Sequence, residues 1–482
     1  MIGVFPEVSG RILINGDWKK VSKTKKVINP AKIEEVVGEV ALCSTQDVDD
    51  AIKAASDVFK SWSRTSVEER ADRMRQASEK LSPLVEENVS LLVRENGKTL
   101  VESKKDLLRC IQVMNQMADT LIEWWKPVDL SGALQSVQIR RRARGVTAVI
   151  SPWNSPLILT FKRVIPAVLA GNTVVIKPAT NCPLTVLTFL KAVASSFPPG
   201  VINIVTGSGA MIGEVLCSDP RVKAICFTGS TDTGKTIMRQ AASTVKKLYM
   251  ELGGNDPALI LPDAALDRTD IERIRGGVLR ASGQVCSAIK RIYVHESRYV
   301  EFVDKLKSGF ERVVVGNGIH PDTTMGPLNN KGQFDYVKGL VERTKQSGAQ
   351  VAELGQKLNS DSWEEGYFMN PSIVTNISHD SELVHAEQFG PVIPVIPYTE
   401  LSQAIEMAND TQYGLRASVW TSDERKAAEI ADYLEAGAVF HNNHTIFKDL
   451  RLDFPGIKES GFSKETQWGS LELFTDSYGF AN

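Results

Sequence analysis

The chain has 482 residues, 42% of them apolar and 24% charged, with a formal net charge of −2. That length exceeds one ordinary hydrophobic core and implies two large domains with room for a small appendage. The near-neutral balance argues against nucleic acid or an anionic membrane as partner, and no run of 18 apolar residues offers a bilayer span.

The opening MIGVFPEVSGRILINGDW has no basic head, apolar stretch and small-residue cleavage site, so no signal peptide is expected. Within it RILINGDW (11–18) alternates around an Asn-Gly-Asp turn and predicts a short hairpin. From 47 to 121 the apolar spacing is helical. DVDDAIKAASDVFKSW opens on an acidic first turn, and TSVEERADRMRQASEKL offers Thr65 or Ser66 as a cap with Glu68 or Glu69 reaching back. The basic run QIRRRARGV (138–146) reads as a solvated or subunit-facing β-edge.

A regular series follows. VTAVISP (146–152), NTVVIKP (172–178), VINIVTG (201–207), AICFTGS (224–230) and KKLYMELGG (246–254) are strands separated by helical stretches. Strands alternating with helices of this size mean βαβ units and a parallel sheet covered on both faces. The pattern restarts at DPALILPDA (256–264), runs through a long helix to about 282 and returns as KRIYVHE (290–296). The pair Gly253–Gly254 marks the expected domain boundary.

Three segments carry candidate chemistry. GQVCSA (283–288) holds a cysteine, PWNSP (152–156) sets an amide in a turn between prolines, and MELGG (250–254) ends a strand on a carboxylate. The six cysteines (43, 110, 182, 217, 226, 286) show no paired spacing, which fits free thiols in a reducing, cytoplasmic setting. A thiol, an amide and a carboxylate are the parts of acyl chemistry through a thioester: nucleophile, oxyanion donor and base for water. All three are expected at strand ends, where open α/β sheets build their sites. FTGSTDTG (227–234) ends a strand and opens a helix, a place for a pyrophosphate. GSGAMIG (207–213) is a weaker alternative, with GxGxxxG spacing and no acidic residue at the usual distance.

PWNSP, KPAT, FTGSTDTG, MELGG, GQVCSA and EQFGPV stand between residues 152 and 392 in the order and spacing of the aldehyde dehydrogenase superfamily, which the whole chain resembles from INGDW to ESGFSKE. The resemblance implies two doubly wound α/β domains plus a small β extension for oligomerisation. The cofactor-binding domain, an atypical Rossmann arrangement, is then 1–126 with 147–252, and the catalytic domain is 253–440. The extension is 127–146 with 465–482, while 441–464 returns to the cofactor domain as a tunnel loop. It implies Cys286 as nucleophile, Asn154 with the Cys286 N–H as oxyanion hole, and Glu251 as the base that hydrolyses the thioester. NAD or NADP would be held by Trp153, Lys177, Thr180, Gly229, Ser230, Glu387 and Phe389. A homodimer or homotetramer is implied, with a small aldehyde as substrate.

Several positions say more. Members strict for NAD often carry Glu where this chain has Thr180, so NADP use is expected. Glu251 favours release by water over transfer to coenzyme A. Retention of Cys286, Asn154 and Glu251 speaks against a non-catalytic structural protein. Lys162 and Arg280 occupy tunnel positions that are cationic in succinic-semialdehyde dehydrogenases, and two cations favour an anionic aldehyde. Ser155, smaller than the usual Phe, gives room for an aromatic or broad-range substrate as the alternative. The redox-regulated enzymes' second cysteine two residues away is absent. DFPGIKESG (453–461) departs from the family stretch at Asp453 and Pro455. His441 and His444 read as loop histidines, and no metal is expected.

Overall fold

The computed structural model describes residues 6–132, 135–358, 360–444, 455–462 and 467–481. The expected hairpin forms from Arg11–Ile14 and Asp17–Lys20, its turn made by Asn15 and Gly16 with φ of 53° and 86°. The helical region becomes four helices, Thr45–Trp62, Val67–Leu81, Leu84–Asn96 and Leu100–Trp124. Ser44 caps the first with a complete capping box, and Ser66 caps the second by accepting from the Glu69 N–H.

The first large sheet has eight strands. Their order is Asp17–Lys20, Arg11–Ile14, Ile202–Ile204, Thr173–Lys177, Val146–Ile150, Val222–Thr228, Lys247–Glu251 and Gly461–Phe462. The central five are parallel. Successive residues go to opposite faces, and both faces are buried. Val149, Val174 and Ile176 join the core under helices Val67–Leu81, Leu100–Trp124 and Pro156–Leu169. Ala148, Val175 and Ile225 join the core under Thr45–Trp62 and Gly209–Ser218. Strands buried on both faces cannot alternate in hydrophobicity, which is why they read as continuous apolar runs.

The second sheet has seven strands, ordered Gln350–Glu353, Ser372–Thr375, Val392–Tyr398, Ile289–His295, Asp256–Ile260, Ala417–Trp420 and Val439–His441. All but the first are parallel. Its faces divide in the same way, Ile260 and Ile292 against Leu259 and Tyr293.

A third, antiparallel sheet orders Thr475–Ala481, Val137–Ala143 and Val128–Asp129. The basic run is therefore its central strand and not an edge. Tyr478 and Phe480 of the C-terminal strand lie under Arg142 and Arg140, with the guanidinium carbons 5.6 and 4.2 Å from the ring centres. The long helix also departs from expectation. It ends at Leu279, and the next three residues leave helical geometry.

Candidate active site

Four neighbouring strands of the first sheet finish in line. Ile150 is paired with Lys177 on one side and Phe227 on the other, and Thr228 is paired with Glu251. The turns beyond these ends carry Trp153, Asn154 and Ser155, then Thr180, then Gly229 and Ser230. Regular register thus collects one side of the site at the carboxyl edge of a parallel sheet.

Lys177 is 8% exposed, and burial pulls its ammonium below the usual lysine range. Ser230 stands at the N-cap of helix Thr231–Ala241 without capping it; its hydroxyl donates to Thr233 Oγ1 at 2.9 Å. Thr180 is half-buried in the turn after Lys177. A buried cation, an N-terminus not capped by its own side chain and a mouth between strands suit a dinucleotide. From the other half, Phe389 meets Trp153 edge-on with ring centres 5.6 Å apart. Glu387 accepts from the Gly254 N–H at 3.0 Å, and burial holds its carboxyl above the usual range.

Cys286 does not end a strand. It lies three residues ahead of strand Ile289–His295, on a strap that begins with Ala281, Ser282 and Gly283 at φ of 49°, 59° and 75°. Left-handed backbone costs an L-residue about 1–2 kcal/mol, so the strap persists only because its surroundings fix it. The Ala281 N–H donates to Glu102 Oε1 at 2.8 Å, and Ser282 Oγ donates to the Gly326 carbonyl at 2.9 Å. Gln284 Nε2 donates to the Ala281 carbonyl while its Oε1 accepts from the Asn329 N–H. A Cβ on Gly283 would overlap the Gly390 carbonyl, and one on Gly254 would stand 2.6 Å from the Cys286 carbonyl oxygen.

The predicted trio converges. Asn154 Nδ2 donates to the Gln284 carbonyl at 2.9 Å, which joins the amide turn to the strap. Cys286, Asn154 and Glu251 line one cavity of about 1360 Å³. The other five cysteines are buried, and burial pushes their thiols up, Cys43 to about 11 and Cys217 and Cys226 to about 12. Cys286 is the cysteine that is half-buried and reaches the cavity. Glu251 Oε2 accepts from Arg163 Nη2 at 3.0 Å, with both side chains buried. The guanidinium offsets a carboxylate that burial would otherwise make costly. Sequence reasoning misses Arg163 and singles out its neighbour Lys162 on the same helix.

Lys162, Arg280 and Ser155 line the same cavity. Arg280 makes no ion pair with any described residue. Lys98, also missed, is buried, ion-paired with Asp106, and donates to Ser155 Oγ at 3.3 Å. Lys290 is a third omission. Its ammonium, 3% exposed, donates to the carbonyls of Val285 at 3.1 Å and Cys286 at 2.5 Å. A Lys-Arg pair set inside a buried strand is the signal that points to it.

His444 is a loop histidine, and a buried one. It is buried against the cavity wall, with Nδ1 3.0 Å from Ser418 Oγ and Nε2 3.5 Å from Asp256, and burial lowers its basicity. The described residues within reach of one ion are His379, His385 and Asp410, none of which lines the cavity. There His379 Nε2 lies 3.0 Å from Asp410, and Nδ1 lies 3.2 Å from the Tyr293 hydroxyl. Asp453 and the tunnel loop from 445 to 454 lie outside the described residues, as does Glu465; Pro455 is described. No helix among the described residues is long and apolar enough to cross a membrane.

The model of the aldehyde dehydrogenase family matches residues 18–478. The α-ketoglutaric semialdehyde dehydrogenase of Bacillus subtilis is 33% identical over 96% of this chain and 96% of its own length. Betaine aldehyde dehydrogenase of Staphylococcus aureus, solved as a point mutant in complex with NAD+, superposes with a TM-score of 0.93 at 31% identity, covering 98% of this chain and 97% of that one. An NADP-dependent enzyme of Escherichia coli gives 0.93 at 29% identity, covering 98% of each. The chain therefore belongs to the aldehyde dehydrogenase family, whose reaction is NAD(P)-dependent aldehyde oxidation with a catalytic cysteine.

Proposed function

We propose that Cys286 attacks an anionic aldehyde, with semialdehydes as the favoured class, and that the acid leaves by hydrolysis. The Cys286 thiolate adds to the aldehyde carbon. The resulting oxyanion accepts from Asn154 Nδ2 and the Cys286 N–H, groups already held in place before charge develops. When bound, the nicotinamide cofactor supplies the hydride acceptor, held by Lys177, Thr180, Gly229, Ser230, Trp153, Glu387 and Phe389. The thioester left on Cys286 is opened by water, whose proton Glu251 takes, returning the thiol and releasing the acid.

One observation carries the substrate class: Lys162 and Arg280 line the cavity that Cys286 reaches. Lys162 is half-buried and Arg280 exposed, and cations on a cavity wall favour a carboxylate and oppose a cation. The α-ketoglutaric semialdehyde relative fits this charge, whereas betaine aldehyde, a quaternary ammonium compound, would be repelled. The test compares kcat/KM for succinic semialdehyde and an uncharged aldehyde of equal length, in wild type and Arg280→Ala. A fall of about 10–100-fold for the charged substrate alone, about 1.4–2.7 kcal/mol, is expected. An equal fall for both, or none, removes the carboxylate reading. The cavity volume and the small Ser155 favour a second reading, an aromatic or broad-range enzyme, so benzaldehyde belongs in the same panel.

Thr180 supports NADP use beside NAD. The domain assignment follows the two large sheets, with 1–126 and 147–252 for the cofactor, 253–440 for catalysis, 441–464 returning to the cofactor domain, and 127–146 with 465–482 as the extension. The three-stranded sheet, with Val128, Tyr478 and Phe480 exposed, is the face proposed for a homodimer or homotetramer. A cytoplasmic location fits the free cysteines.

A further inference from the structure

We infer that Lys290 is a positioning residue that ties the backbone of the nucleophile to the carboxylate of Glu387, and that its charge tunes the reactivity of the thiol. The inference rests on the proposed roles of Cys286 and Glu387.

Lys290 sits in strand Ile289–His295 between Ile289, which joins an apolar core, and Arg291, whose buried guanidinium donates to the Asn255 and Ala408 carbonyls, and its own side chain is 3% exposed. A buried ammonium is costly unless its three donors are used. Here two go to the Val285 and Cys286 carbonyls, and the third side faces Glu387 Oε1 at 3.9 Å. Glu387 Oε1 also accepts from the Gly254 N–H, and Gln388 Nε2 donates to the Lys290 carbonyl at 3.0 Å. Lys290 thus joins the strap of Cys286 to the segment that carries Glu387 and Phe389, and Glu387 extends the link to the turn after Glu251. None of these has a ladder of its own to hold it. The strained residues 281–283 make the strap the segment that most needs an anchor.

The electrostatic part follows from distance. The carbonyl oxygen and Sγ of one cysteine are never more than about 5 Å apart. With Nζ 2.5 Å from that oxygen, the ammonium stands within about 7.5 Å of the sulfur. A positive charge at that range favours thiolate over thiol. The charged and titratable groups that line the cavity with Cys286 include Glu251 with its partner Arg163, Glu102, which holds the strap at Ala281, Lys98, Lys162, Arg280, Arg416 and His444. Glu387 opposes Lys290 from its own segment.

The test follows the pH dependence of iodoacetamide alkylation of Cys286 in the full-length, cofactor-free enzyme, located by peptide mass mapping. Cofactor KM and thermal melts are measured on the same samples. Lys290→Gln is expected to raise the alkylation midpoint by about one pH unit and to raise the cofactor KM about tenfold. Lys290→Arg, which keeps the charge, is expected to restore the midpoint most of the way. Glu387→Gln, which removes the opposing charge, is expected to lower the midpoint, and it keeps the test alive if Lys290→Gln does not fold. A lowered melting point with unmoved midpoint and KM would reduce Lys290 to a structural role and overturn the inference. So would a Glu387→Gln midpoint equal to wild type. If alkylation that abolishes wild-type activity maps elsewhere than Cys286, the reading of the nucleophile fails instead, a separate outcome.

Discussion

The strand ends of the first sheet and the strap of Cys286 both present polar groups to one cavity, but they are built by opposite means. Asn154, Lys177 and Glu251 stand where they do because parallel strands in fixed register stop in line. The strap has no ladder. It holds three left-handed residues, glycine packed against a carbonyl, and hydrogen bonds to distant partners: the Glu102 carboxylate, the Gly326 carbonyl and the Asn329 N–H. The scaffold side is therefore tolerant of side-chain change, while the strap stores strain that its neighbours must hold. Chemistry can be retuned at the first and is broken at the second.

The sharpest way to break this comparison is Gly283→Ala. Its Cβ would meet the backbone carbonyl of Gly390, which cannot swing aside. A loss of about 3 kcal/mol or more and of nearly all turnover is expected, read by denaturant titration and steady-state rates. Wild-type stability would remove the claim that the strap is over-determined. On the scaffold side, Thr180→Glu is expected to change chemistry without harming the fold. The carboxylate should repel a 2′-phosphate and move the NADP-to-NAD ratio of kcat/KM toward NAD by about 10–100-fold, about 1.4–2.7 kcal/mol, with the melting point unchanged.

A smaller effect tests the sign of the strain. Alanine to glycine ordinarily destabilises by about 0.5–1 kcal/mol. At Ala281, with φ of 49°, relief of left-handed strain should cancel or reverse this, for a net gain of up to about 1 kcal/mol. The smallest effect concerns His444, whose basicity burial depresses below the ordinary value of 6.5. Below that pH the unfolded chain takes up a proton that the folded chain refuses, so stability falls as pH drops through and under 6.5. His444→Gln should flatten that fall by about 1 °C in melting temperature, measured as the difference between pH 7.5 and pH 5.5.

The same contrast explains what is legible in the sequence. Apolar runs of buried strands and the caps at Ser44 and Ser66 announce themselves locally, so the strands from Val146 to His295 are found within a few residues. Cys286, Asn154 and Glu251 are reached through motif order, and the structure brings them to one cavity. The strap reads as helix because its left-handed turn depends on contacts far away in sequence. Arg163, Lys98 and Lys290 escape because their partners, Glu251, Ser155 and the Cys286 carbonyl, are set by the tertiary fold, so a charge in the sequence does not name them. The run 138–146 looks like an edge because its cover, Thr475–Ala481, lies more than 300 residues on.

The central claim is that Cys286 carries the acyl group that Glu251 helps water remove. Glu251→Gln, mixed with succinic semialdehyde and NAD or NADP and quenched in acid, should gain the mass of the aldehyde less two hydrogens. Peptide mapping should place that mass on Cys286, with one turnover of reduced cofactor and no steady state. Release of acid at the wild-type rate, or an acyl group on any other residue, would contradict the account.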